Sequence, residues 1–185
     1  MIGTLKIIFF IFFMVIVLAC TEDEEIPKLQ NDFTEFEVLP DQISYDIKVV
    51  FTDSSRKKAE LFAKRARIYQ KNQETILDKG VKVLFFSKAT GYIVSTLVSD
   101  SVLIDEKTKN MYAGGNVIVK SDSNKTTLTT NLLEWNNNTQ KLYSNEYVKI
   151  VSPYETLMGY GFESDQNLSN YKVFKVSGEQ RNINK

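Results

Sequence analysis

Glu163 and Asp165 stand two residues apart in a stretch that reads as a strand, so both carboxylates fall on one face. Carboxylates placed in this way could serve as a glycosidase pair or a divalent-cation site. Nothing else in the sequence converges on them, and a solvated strand end accounts for them more simply. The rest of the inventory closes off most other chemistry. The 185 residues include no histidine and one cysteine. That excludes Ser-His-Asp and Cys-His machinery, an imidazole base, zinc held by imidazoles and an internal disulfide. With 23 basic and 23 acidic side chains the formal net charge is zero, which gives no overall pull toward nucleic acid. Composition therefore favours a binding or structural role over catalysis, with no catalytic residue, metal or cofactor expected.

The one thiol, Cys20, has its own chemistry. It closes an uncharged apolar run, residues 7–20, that follows Lys6 and is followed by Glu22, Asp23, Glu24 and Glu25. The run is shorter than the roughly 20 residues that cross a bilayer and fits the apolar region of a signal peptide. Val17-Leu18-Ala19-Cys20 resembles a bacterial lipoprotein signal, in which cleavage frees the cysteine for acylation; an uncleaved anchor helix is the alternative. Residues 1–19 are thus expected to be a signal or short anchor and residues 20–42 a solvated tether.

Strands must position whatever the body does. Residues 43–51, 81–86, 92–104, 116–120, 126–135 and 148–152 alternate β-branched or aromatic residues with polar ones, between turns rich in Asp, Asn, Gly and Thr. Residues 56–70 could form a basic amphipathic helix, but Ala59, Leu61 and Ala63 alternate as in a strand. Self-comparison adds a repeat. Leu103-Ile104-Asp105, Thr108, Tyr112, Val117 and Val119 match Glu134-Trp135-Asn136, Thr139, Tyr143, Val148 and Ile150 at an offset of 31. A looser copy runs from Ile68-Tyr69 to Gly80-Val81-Lys82-Val83, and a shortened one from Phe162 through Asp165 to Val173-Phe174-Lys175-Val176. Four strand–turn–strand units cannot each bury an apolar face alone, so they stack into one all-β body, residues 43–178, with residues 179–185 a polar tail. The two ends of that stack would leave unpaired edges open to strand addition.

The order Gly80-Val81-Lys82-Val83, Asp105-Glu106-Lys107-Thr108 with Gly115-Asn116-Val117, Leu133-Glu134-Trp135, and finally Gly159-Tyr160-Gly161-Phe162-Glu163-Ser164-Asp165 resembles the LptC family. The resemblance spans about residues 43–178. It departs at the N-terminus, where the family's better-known members carry an uncleaved anchor helix and this apolar run ends in Cys20. It implies a twisted, V-shaped β-jellyroll of stacked antiparallel strands with open edges, working in lipopolysaccharide export. Its interior would take lipid A acyl chains. One edge would pair with an inner-membrane ABC transporter's periplasmic domain and the other with a periplasmic bridge protein of similar fold. The protein would then lie in the periplasm, tethered to the inner membrane by Cys20 or an N-terminal anchor. An envelope β-repeat lipoprotein acting as scaffold or glycan-binding module is the alternative.

Alternation nominates the interior. Val81, Val83 and Phe85 share a strand face, as do Val117 with Val119 and Val148 with Ile150; with Phe162 they are candidates to line a lipid groove or to form an ordinary dry core. Gly159 and Gly161 leave one sheet face bare, through a bulge or the close approach of something else. The Lys/Arg cluster of residues 56–67 could face lipid phosphates at the groove mouth or be a solvated strand face.

Overall fold

The computed structural model describes residues 39–181. The signal or anchor, Cys20, most of the tether and residues 182–185 lie outside the described residues. Ten antiparallel strands form one sheet: β1 (Gln42–Asp53), β2 (Arg56–Tyr69), β3 (Glu74–Phe86), β4 (Ile93–Ser99), β5 (Ser101–Asp105), β6 (Met111–Ser121), β7 (Thr127–Asn136), β8 (Lys141–Val151), β9 (Glu155–Asp165) and β10 (Tyr171–Arg181). Each strand pairs with its neighbour in sequence, except that β4 and β5 lie end to end between β3 and β6. Residues 92–104, which read as one strand, are therefore interrupted at Asp100. The basic stretch is strand β2 and not a helix. The last three residues of β10, Glu179 to Arg181, come from the expected polar tail.

A line of irregularities crosses the sheet at mid-strand. The pairing register slips by one between Ala63 and Arg65, Gly114 and Val117, Thr130 and Glu134, and Ser144 and Tyr147. Asp46, Lys79, Gly80, Gly115, Asn116 and Gly161 hold positive φ along the same line. Asp100 stitches it, its amide donating to the Gly115 carbonyl and its carbonyl accepting from Gly80. An extra residue bends a strand and sharpens its twist, and bends at one level in successive strands fold the sheet upon itself. Phe85 from one half accordingly meets Trp135 from the other, with ring centroids 6.0 Å apart.

The predicted repeat is visible in the turns. Asp105 Oδ1 accepts the amides of Lys107 and Thr108, and Asn136 Oδ1 accepts those of Asn138 and Thr139; Lys109 and Gln140 close the two turns with φ near +60°. Serines do the same work at the opposite end, where Ser87 and Ser152 accept amides two and three residues on.

One ion cluster braces the bulge beside β1. Arg65 grips Asp78 through two bonds of 2.7 and 2.9 Å, and Arg67 adds a third at 3.1 Å. The Arg65 guanidinium, bonding Asp78 directly, holds that carboxyl below its usual range. A depressed folded-state pKa contributes stability that is complete above the ordinary value and lost as pH falls through the folded value. Asp78→Asn is expected to cost about 1 kcal/mol at pH 7, the partial exposure of both partners limiting the effect. Urea melts of both proteins should converge as pH falls below 3.8, the ordinary carboxylate value.

Candidate functional site

The interior-facing row Leu61, Val83, Leu97, Val119, Leu128 and Ile150 lies in direct register across six strands, and each member is at most 5% exposed. This row and its neighbours bring together all eight nominated residues. Val81, Val83, Phe85, Val117, Val119, Val148, Ile150 and Phe162 belong to one buried cluster with Trp135, Leu142 and Leu168. Sequence reasoning did not nominate those last three, nor Leu97, Leu128 and Leu133. Alternation within their own strands could have found all but Leu168, which sits in a turn.

Within this interior a cavity of about 20 Å³ is lined by Val83, Phe85 and Leu97 from one half and Val102, Met111, Ala113, Leu133, Trp135 and Leu142 from the other. That is room for about one water. Ser164 Oγ is buried and has no hydrogen-bond partner among the described residues; in register it opposes Leu142 on the interior face. At the edge of the interior a crevice of about 480 Å³ is bordered by Lys58, Phe86, Ser87, Lys88, Val94, Gln140, Asp165, Gln166 and Asn167.

The two carboxylates read first are both engaged. Glu163 pairs with Lys141 across β8 and β9. Asp165 caps the β9–β10 turn, accepting from the Ser169 amide and Asn170 Nδ2 at 2.8 Å each. The two bare glycines have different causes. A Cβ on Gly159 would come within 2.2 Å of the Lys175 carbonyl oxygen in β10, so β9 and β10 approach closely there. Gly161 holds φ +78° on the bulge line.

Among the described residues both outer strands are free on one side: β1 pairs only with β2, and β10 only with β9. Their exposed apolar residues include Ile43, Tyr45 and Val50 on β1 and Phe174 and Val176 on β10. Together these features define an all-β protein built as a single folded sheet around an apolar interior, with two unpartnered edges. The family model for lipopolysaccharide-assembly, LptC-related proteins matches residues 7–176, and the chain belongs to that family. No curated protein matches it. Membership makes the chain a component of lipopolysaccharide transport and not an enzyme, acting in the periplasm in association with the inner membrane.

Proposed function

We propose that the protein receives lipopolysaccharide from an inner-membrane ABC transporter and passes it, acyl chains within the folded sheet, to a periplasmic bridge protein. The observation that carries this reading is the pairing of a continuous apolar interior with two free edge strands. Strand addition satisfies the unpaired backbone groups of β1 and β10, and exposed apolar side chains on both strands add contact area to such joints. Residues 43–178 form the lipid-handling body. Residues 1–19 direct export or anchor the chain, residues 20–42 tether it, and Cys20 takes the lipid anchor where the signal is cleaved.

Photo-cross-linking residues placed at Val83, Val117 and Ile150 in cells are expected to capture lipopolysaccharide in an ATP-dependent manner. The absence of adduct at all three would overturn the reading. Co-isolation of an ABC transporter with the full chain is the parallel expectation.

A further inference from the structure

The basic cluster on β2 is almost wholly engaged. Lys57 pairs with Glu60 at 2.7 Å, Lys64 with Asp46 at 2.7 Å, and Arg65 and Arg67 with Asp78; Arg56 donates to the Lys88 carbonyl. Lys58 makes no ion pair among the described residues. The β1–β2 register explains its different fate. Thr52 opposes Lys57 and Phe51 opposes Ala59, so Lys58 is the bulged residue with no partner strand position. Bulges re-aim side chains, and this one carries the Lys58 ammonium to 5.3 Å from the centroid of Trp135. Lys58 borders the crevice and Trp135 borders the interior cavity, so their contact is the point where the two spaces adjoin.

We propose that this junction is a head-group site: Lys58 binds a phosphate of an acyl lipid whose chain passes Trp135 into the interior. The site rests on the lipid-carrying reading given above and adds where the ligand's charge is held. A half-buried ammonium stacked on an aromatic ring has lost part of its hydration, and burial is the main cause pushing Lys58 below the ordinary lysine value. An anion beside it restores that loss and makes a charge-assisted contact. The other charges at the crevice are already matched. Lys88 is paired with Asp53 at 2.6 Å, and Asp165 is turned to its own loop. Two strands across the sheet from Trp135, in register through Leu142, the Ser164 hydroxyl, unpartnered among the described residues, offers a hydrogen bond to the ester or amide that joins an acyl chain to its head.

Trp135 is the only tryptophan in the chain and reports on this junction directly. The full chain in phosphatidylcholine vesicles is titrated with rough lipopolysaccharide bearing its lipid A phosphates or stripped of them, following Trp135 emission. The wild type is expected to bind the phosphorylated form about tenfold more tightly. Lys58→Met keeps the apolar stem over Trp135 and is expected to bring the two forms within about twofold. Lys57→Met, one residue away, should keep the wild-type preference and controls for altered folding or surface charge. A Lys58→Met protein that binds both forms and still prefers the phosphorylated one overturns the head-group site and leaves the lipid-carrying interior standing. If neither form moves Trp135 in the wild type, the interior reading falls and the site with it.

Discussion

Leu168→Ala is expected to cost about 2–4 kcal/mol of stability and to raise acrylamide quenching of Trp135 several-fold, although residue 168 lies in a turn. Turn residues at the surface seldom matter this much. Leu168, however, is fully buried within the interior cluster and holds φ +54°, a strained region for a leucine. Its turn joins the two halves of the folded sheet. Asn124 Nδ2, from the β6–β7 turn, donates to the carbonyls of Asn167 at 3.2 Å and Leu168 at 2.9 Å, and Ser95 Oγ of β4 donates to the Gln166 carbonyl at 2.6 Å. This seam is held by a few side-chain bonds and one anchoring side chain, whereas the strands on either side are held by continuous ladders. On the lipid-carrying reading proposed above, a cavity of about 20 Å³ is too small for an acyl chain, so the halves would have to part, and this seam, which has no continuous ladder, is where they would do so. Leu168→Gly separates anchor from strain: it removes the same side chain but relieves the positive φ, and should recover up to about 1 kcal/mol relative to Ala. A destabilised Leu168→Ala protein whose Trp135 stays as protected as in the wild type would show that the mouth is closed elsewhere.

Local signals in the sequence were sufficient for the strands and for half of the turns. Asp105 and Asn136 lie 31 residues apart and make the same pair of bonds, because the chemistry of an Asx turn is contained in a few consecutive residues. Ser121 and Ser152, also 31 apart, begin the turns at the opposite end of the sheet and were not read as part of the repeat. Serine is too common in loops to stand out without the spacing of the matched turns. The bulge line was less legible. Of its glycines only Gly161 reads as a possible bulge; Gly80 and Gly115 lie on the line as well, Asp46, Lys79 and Asn116 hold positive φ there too, and alternation continues across the slip so that two half-strands read as one. Contacts between the halves were not legible at all. Asn124 makes an ordinary local turn bond, its Oδ1 accepting the Thr126 amide, but its Nδ2 reaches a turn 43 residues away. Alternation shows which face of a strand is apolar, and it carries no information on whether two such faces meet or stand open. For the same reason Lys58 could not be separated from its basic neighbours, since its distinction comes from a bulge opposite β1 and a ring on β7.

The second large effect is expected at an edge. Gly159→Val should detach β10 from the sheet and cost about 3 kcal/mol or more, because the added Cβ would meet a backbone oxygen at 2.2 Å and carbon at 2.9 Å in a strand that cannot shift without breaking its ladder. Neighbouring glycines set the scale. Gly161→Ala meets the Phe174 ring at 3.1 Å and pays for a positive φ, so about 1 kcal/mol is expected. At Gly178 the obstacle is the flexible end of Met158, which can move aside. Hydrogen exchange distinguishes the cases: the β10 amides from Lys172 to Val176 should lose protection in Gly159→Val and keep it in Gly178→Ala, while β2 and β3 stay protected in both. The variant also separates the two edges functionally. With β10 detached, β9 presents a new edge of altered register and side chains, so on the strand-addition reading proposed above a partner docking on β10 should be lost and one docking on β1 retained. Co-isolation from cells of the variant would therefore assign transporter and bridge protein to their edges. Retention of both partners by a Gly159→Val protein with unprotected β10 amides would mean that β10 is not a docking edge.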